Sequence, residues 1–586
     1  MSLSNLAPGA APAAWRWLIE RVWRLEHAFE RSRAAAKPED DTRIRIFFVL
    51  ALFGLAFCVL GVGATWAALF SDVGRNGYLA STDGARGDLV DRNGQLLAVD
   101  LTHYALYIDP KEVWDARATR KALAKALPQV PAKRLAQAIE GDRRTFLVGG
   151  MTPSQKDAIF DLGLPGVQFE EQARRVYPLG SSAAHFIGFV DKGGKGLSGA
   201  EKALDKQVRE AAAQGPDGAI PLSIDLRVQA ALEDEVRKAA IEFQAKDAVG
   251  IVTNVHTGEI LGMTSFPDYD PNQLNLASNE QMTNHAAATV YEMGSTFKAF
   301  TVAIGLDTGA ATPASTFDAR EPFKLGYRTI HDFHAAKKIL TLVEVFQHSS
   351  NIGTAILAER IGGERLSHYF AALGLTRPAK VELLESARPL TPKKWDDDAV
   401  ASTSFGHGIN VSPLALAQAM GALLNGGTLQ PLTILKRPAG VRPEGPRAVS
   451  EETSAQMLQI MRANVTGGSG KSANIPGLSV GGKTGTGEKY DPAIRGYNHQ
   501  RQVSSFAAVF PTEGPIEADR YFVLVLLDEP KGNAKTFGFS TGGWVSAPAA
   551  GRVIDRIAPF LNVKRKNDIL TIAAQPQAVA TSEAGL

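Results

Sequence analysis

Ser295 and Lys298 lie three residues apart in VYEMGSTFKAFTVAIGL, at the start of an apolar-periodic run. That spacing puts both side chains on one face of a helix near its N-terminus. A hydroxyl beside an amine pairs a nucleophile with a base, which covalent acyl transfer requires. A serine N-cap followed by an exposed lysine has the same spacing, so the pair alone decides nothing. Two Ser-x-Asn tripeptides come later, Ser349-Ser350-Asn351 and Ser472-Ala473-Asn474. The first precedes a helical pattern from Ile352 to Ile361, whereas the second sits in a Gly-rich loop and reads as turn chemistry. Next comes Lys483-Thr484-Gly485-Thr486 in GLSVGGKTGTGEKYD, which opens like a strand edge. Its glycines let another stretch of backbone approach closely.

These residues need a scaffold, and the composition is that of a folded one. Hydrophobic residues make up 45% of the 586 and charged residues 21%, with 56 Gly and 31 Pro, the profile of a loop-rich globular chain and not a disordered one. The length exceeds what one core organises, so several domains are expected. With a net charge of +2 and no long Lys/Arg tract, nucleic acid is excluded as a partner. The single cysteine, Cys58, lies in the most apolar stretch and rules out a disulfide framework or a Cys-based metal site. His331, His334, His348 and His407 form no zinc-type spacing, and neither metal nor cofactor is expected. His407, between Gly406 and Gly408, reads as a structural residue lining the floor of a site.

From Ile46 to Phe70 no residue is charged, and about 20 such residues suffice to cross a bilayer. The length of the run and the polar leader before it favour a retained anchor over a cleaved signal. Arg31, Arg33, Lys37, Arg43 and Arg45 precede it while only Arg75 follows closely, which places the N-terminus in the cytoplasm and the rest outside. In the leader, Trp15, Leu18, Val22, Leu25 and Phe29 draw one apolar helical face, suited to an interface, a partner or the protein's own membrane segment. Asn93-Gly94, between two alternating runs, predicts a hairpin over Ala85 to Asp100. Helical patterns fill 111–170, including Lys121 to Leu127 and Pro153 to Leu162, and strand and turn signals return up to about Asp205. The expected organisation is a leader over 1–45, a transmembrane helix over 46–70, an α+β module over 71–215, a larger α/β-patterned domain over 216–563 and a disordered tail over 564–586.

Taken in order, Ser295-x-x-Lys298, Ser349-x-Asn351 and Lys483-Thr484-Gly485 form the signature of penicillin-binding proteins and class A β-lactamases. The chain resembles the former over about residues 85 to 560. Arg86 to Gly94 is similar to the first box of that family's N-terminal module, and Arg175-Val176-Tyr177-Pro178, Ala184-His185 and Gly199-Ala200-Glu201 are similar to its later boxes. Within the family it resembles the class B, division-type group, that of penicillin-binding protein 3. Elongation-type relatives usually carry Asp where this chain has Asn351, and bifunctional members need a further glycosyltransferase domain for which 71–218 leaves no room. One departure is Met293, where many members have Pro. The resemblance implies a multidomain α/β and α+β protein: one transmembrane helix, an elongated α+β pedestal, then a serine β-lactamase-like transpeptidase domain whose antiparallel sheet is flanked by helices.

It also implies roles. Ser295 would attack a D-alanyl-D-alanine amide of a peptidoglycan stem peptide, and Lys298 would take its proton. That needs a neutral amine although free lysine titrates near ~10.4. Burial, the helix N-terminus and a second ammonium at Lys483 are expected to lower that value. Ser349 would relay the proton and the Asn351 amide would hold substrate backbone. Backbone N–H groups of Ser295 and Thr486 would form the oxyanion hole, and Lys483, Thr484, Gly485 and Thr486 would bind the terminal carboxylate of substrate or of an inhibiting β-lactam. A polytopic glycan polymerase and other division-site membrane proteins are the implied partners, met by a membrane helix whose small residues Gly54, Gly61 and Ala68 fall seven apart. The implied location is the bacterial inner membrane at the septum, with the catalytic domain periplasmic. The competing expectations are an elongation-type transpeptidase, a DD-carboxypeptidase or β-lactamase-type hydrolase, a β-lactam sensor, and a silent scaffold.

Overall fold

The computed structural model describes residues 85–214, 218–333, 335–491 and 496–566, with scattered helical positions between Arg24 and Gly61. The amphipathic leader lies outside the described residues apart from Arg24 and His27, as does the tail beyond Lys566. Of the apolar run, only positions between Val49 and Gly61 are described, as helix, and no helix among the described residues is long and apolar enough to cross a membrane.

The N-terminal module is built on a long strand. β1 (Leu89–Val90) turns back into β2 (Leu96–Ile108) as an antiparallel hairpin. Gly94 takes the positive φ of 86° that the turn needs, and the Asp91 carboxylate accepts from the N–H groups of Asn93 and Gln95. Helices α1 (Ala116–Ala126) and α2 (Ala132–Ile139) follow, and then β3 (Thr145–Met151), α3 (Pro153–Phe160) and β4 (Val167–Val176). Asp115 caps α1, and a Thr152/Gln155 capping box starts α3. β3 and β4 both pair antiparallel with β2, and Leu106, Ile108, Leu123, Leu135 and Leu147 make the core between them.

Two local patterns mislead here. TFLVGGM becomes β3 inside a stretch with helical periodicity. Beyond Val176, where strand and turn signals stand, the chain folds into short helices at Ala184–Ile187, Gly199–Ala203 and Asp205–Ala212. Long-range ion pairs anchor the helix at Gly199–Ala203. Glu201, fully buried, accepts from Arg86 Nε at 2.9 Å and Arg175 Nε at 2.6 Å, while Asp100 also pairs with Arg175 at 3.1 Å. These partners come from three distant segments, which no local window contains.

β5 (Ile220–Pro221) runs parallel to β1 and leads into α4 (Leu226–Glu242), whose first N–H is taken up by Asp91 at 3.2 Å. β6 (Asp247–Asn254) and β7 (Ile260–Phe266) begin the second sheet. Next come α5 (Lys298–Asp307) and four short strands, β8 (Thr316–Asp318), β9 (Phe323–Leu325), β10 (Arg328–Ile330) and β11 (Ile339–Thr341). Helices α6 (Leu342–His348), α7 (Asn351–Ile361), α8 (Pro413–Leu424) and α9 (Glu451–Gly467) precede β12 (Gly481–Asp491), β13 (Gly496–Phe510), β14 (Tyr521–Asp528) and α10 (Ser546–Ile557). The sheet order is β12-β13-β14-β6-β7, antiparallel throughout.

Strand period decides which side each residue serves. In β14, Phe522, Leu524 and Leu526 join the core shared with α5 to α9, while Val523, Val525 and Leu527 join the one covered by α4 and α10. Helices on both faces explain why YFVLVLLD is almost continuously apolar, and each such side chain contributes about 1.5–3 kcal/mol on burial. β12 is one edge of this sheet, and β7 is the other.

Candidate active site

The nucleophile sits on a turn forced by its neighbours. Gly294–Phe297 is a single 3₁₀ turn running straight into α5, and the Thr296 hydroxyl donates to the Met293 carbonyl at 2.9 Å. Gly294 has φ of 53°, and a methyl there would stand 2.3 Å from the Thr486 carbonyl oxygen. Gly485 is equally tight, its absent methyl falling 2.5 Å from the Met293 carbonyl oxygen. Two backbones therefore run against each other without side chains between, which sets the nucleophile turn directly against β12. Met293 is fully buried, so the departure from Pro leaves a packed residue under this turn.

Lys298, on the first turn of α5, is fully buried and reaches four oxygens. Its Nζ lies 2.6 Å from the Ser349 carbonyl, 2.7 Å from Asn351 Oδ1, 2.9 Å from Ser295 Oγ and 3.1 Å from Ser349 Oγ. The two shortest contacts go to oxygens that can only accept. A neutral amine has two N–H donors and one lone pair. With both donors given to the two carbonyl oxygens, a neutral amine would keep its lone pair for the Ser295 hydroxyl. Burial pushes this lysine down to about 7, with the Asp332 carboxylate pulling the other way.

Lys483, on the edge strand β12, is also fully buried, 2.9 Å from Ser349 Oγ and 3.1 Å from the Thr484 carbonyl. Its value falls well below the ordinary lysine range through burial first and the Lys298 charge second. Ser349 thus bridges two amines that burial and mutual repulsion keep from being charged together. It holds φ of 56° at the junction of α6 and α7, a left-handed conformation uncommon for a non-glycine residue and costing about 1–3 kcal/mol. Ser295 alone among Ser295, Lys298 and Lys483 is half-exposed.

The remaining predicted residues fall into two groups. Asn351 begins α7, and its Nδ2 donates to the His331 carbonyl at 3.1 Å, so both ends of its amide are engaged. The Thr484 hydroxyl pairs with Ser469 Oγ at 2.8 Å, and Thr486 Oγ1 accepts from the Gly542 N–H at 3.3 Å. The other tripeptide stands apart. Ser472 donates to the Gly543 carbonyl at 2.6 Å and Asn474 accepts from Arg462 at 3.0 Å, with no contact to either lysine. Ser472 therefore braces the Gly542–Gly543 strip that borders β12.

His407 stacks on Tyr497 with ring centroids 5.6 Å apart, and the Tyr497 hydroxyl donates to Glu292, three residues before the nucleophile, at 3.0 Å. His407 itself is half-buried. His331 contributes its carbonyl, His348 is exposed at the end of α6, and His334 lies outside the described residues. Asp247, Glu280 and His285 are the metal-capable group among the described residues, and none of the four histidines belongs to it. Sequence reasoning passed over Ser469 and Asp332. Neither belongs to a motif, and only the fold carries them to the site.

This arrangement matches known proteins over both folded parts. The model of the penicillin-binding protein transpeptidase domain matches residues 248–555, and that of the penicillin-binding protein dimerisation domain matches 81–218. The chain belongs to the penicillin-binding protein transpeptidase family. Within the family it is 73% identical over 591 residues, all of both chains, to the probable peptidoglycan D,D-transpeptidase FtsI of Caulobacter vibrioides. It is 31% identical over 511 residues to the Escherichia coli K12 peptidoglycan D,D-transpeptidase FtsI, covering 82% of this chain and 84% of that one. These similarities place it in the FtsI group. Among solved structures, penicillin-binding protein 2X of Streptococcus thermophilus shares the fold with a TM-score of 0.68 at 21% identity, over 83% of this chain and 81% of that one. Penicillin-binding protein 3 of Mycobacterium tuberculosis, complexed with aztreonam, does so with a TM-score of 0.63 at 24% identity, over 82% and 97%.

Proposed function

We propose that this penicillin-binding protein is a peptidoglycan D,D-transpeptidase that cross-links stem peptides through a Ser295 acyl-enzyme. The observation carrying the reading is the Lys298 amine, buried, 2.6 and 2.7 Å from two carbonyl acceptors and 2.9 Å from the Ser295 hydroxyl. As Ser295 Oγ attacks the carbonyl carbon of the D-alanyl-D-alanine amide, its proton passes to Lys298. Negative charge on the carbonyl oxygen is met by the backbone N–H groups of Ser295 and Thr486, and one such donor is worth ~3 kcal/mol in the barrier. Breaking the C–N bond frees D-alanine, whose nitrogen takes a proton through Ser349, placed between Lys298 and Lys483. An acceptor amine then attacks the ester, gives up its proton along the same path, and restores the Ser295 hydroxyl. Lys483, Thr484, Gly485 and Thr486 form the edge along which the substrate's terminal carboxylate, or that of a β-lactam, lies.

Residues 71–215 serve as the pedestal and 216–563 as the catalytic domain. The uncharged run over 46–70 and the basic residues before it support a single inner-membrane span, a cytoplasmic N-terminus and a periplasmic active site at the division septum. A polytopic glycan polymerase that supplies nascent strands fits the small-residue row at Gly54 and Gly61 as a partner within the bilayer. Full-length protein incubated with a labelled penicillin tests the chemistry: the adduct maps to the peptide bearing Ser295 and vanishes in Ser295→Ala. An adduct elsewhere, or stoichiometric labelling of that variant, refutes the assignment.

A further inference from the structure

Directly after β10, His331 and Asp332 bond to the Ser349–Asn351 corner and the residue beyond it. Asp332 Oδ2 accepts from Ser350 Oγ at 2.8 Å, and Oδ1 accepts from the Ile352 N–H at 3.0 Å. One residue earlier, the His331 carbonyl accepts from Asn351 Nδ2. The pair therefore grips Ser350, Asn351 and Ile352 in succession. Ser350 is itself fixed, buried and accepting from the Gly353 N–H at 3.0 Å as the N-cap of α7. From the opposite side, Lys298 holds the Ser349 carbonyl and Asn351 Oδ1. Ser349 takes its φ of 56° as the left-handed cap of α6, its N–H returning to the Phe346 carbonyl at 3.2 Å and that of Ser350 to the Val345 carbonyl at 2.9 Å, and the two-sided hold fixes the residues that follow this cap.

Charge adds a second role. Around Lys298, its own turn presents the neutral Ser295, the α6–α7 corner the neutral Ser349 and Asn351, and β12 a second buried amine, Lys483, beyond Ser349. The carboxylate at this corner is Asp332, bonded to Ser350 and Ile352 on either side of the Asn351 that Lys298 holds. When Ser295 gives up its proton, an ammonium forms in a site with no water-like screening, and a nearby carboxylate is worth far more there than at the surface.

We propose that Asp332 is a positioning residue for acyl transfer, clamping the Ser349–Asn351 corner against Lys298 and stabilising the lysine ammonium that forms as Ser295 is deprotonated. This rests on the reading of Ser295 as nucleophile and Lys298 as base. Asp332→Asn keeps the shape and an acceptor for the Ile352 N–H but removes the charge, while Asp332→Ala removes both.

The test is the second-order rate of acylation by a labelled penicillin from pH 5 to 10, on the full-length chain, with melting temperature and adduct mapping on each variant. In Asp332→Asn the acid limb moves ~1 pH unit lower, because an amine without its carboxylate loses its proton more readily, and the plateau falls about 10-fold. In Asp332→Ala the plateau falls a further ~10-fold as the corner loosens. A wild-type midpoint in Asp332→Asn overturns the electrostatic role, and equal plateaus for the two variants overturn the clamp. Should Asp332→Ala fail to fold, the pH profile of Asp332→Asn decides alone. An adduct that does not map to Ser295 in the wild-type chain strikes the underlying assignment instead, so the two failures are distinguishable.

Discussion

Replacing Gly294 with alanine asks whether the cleft depends on two backbones meeting without side chains. The added methyl would lie 2.3 Å from the Thr486 carbonyl oxygen and 2.6 Å from its carbonyl carbon, whereas real contacts of this kind stop near 3.0 Å. About 0.7 Å must therefore be found between the nucleophile turn and β12, and neither partner is a flexible side-chain tip. The positive φ of 53° adds about 1–2 kcal/mol of strain for any L side chain. A displacement approaching 1 Å between reacting groups costs about 10²-fold in rate, so the penicillin acylation rate should fall about 100-fold. Gly309→Ala is the control. It shares a positive φ of 70° but has open space around the methyl, so it should lose stability through strain without losing acylation. Stopped-flow acylation and thermal melting on both variants separate the effects. If Gly294→Ala acylates at the wild-type rate, or if Gly309→Ala is equally slow, the close-approach argument fails.

Other residues make further predictions. Lys298→Arg should remain unable to acylate, because a guanidinium stays protonated and cannot accept the serine proton; rapid labelling by this variant would remove Lys298 from the mechanism. Lys298→Met should melt higher than wild type, and by more at pH 6 than at pH 9. The folded-state value near 7 lies below the unfolded one, so the wild-type chain loses stability as pH falls from the unfolded value through 7. A pH-independent difference in melting temperature would contradict the buried-amine argument. Ser472→Ala should change acylation several-fold at most, against ~10²-fold or more for Ser349→Ala, since Ser472 only braces Gly543; equal losses would overturn that ranking. Glu201→Gln should destabilise the fold by about 3–5 kcal/mol by leaving Arg86 and Arg175 short of a buried counter-charge. A melting temperature unchanged from wild type would argue against it.

The sequence by itself determined the reactive types and much of their local setting. Ser295 and Lys298 meet because a helical turn places positions three apart on one face, and the Asn93-Gly94 turn forms because its glycine tolerates positive φ. The membrane run and leader were legible as patterns, but they lie largely outside the described residues. Tertiary structure decided the rest. Periodicity says which side of an element faces inward, not what it will meet there. The pairing of Lys298 with Lys483 across Ser349, the long-range ion pairs that anchor the Gly199–Ala203 helix, and Asp332 beneath Ser350 all join segments far apart in the chain. The lowering of the two lysines follows from burial, a property of the packed domain that neither residue's sequence neighbours contain.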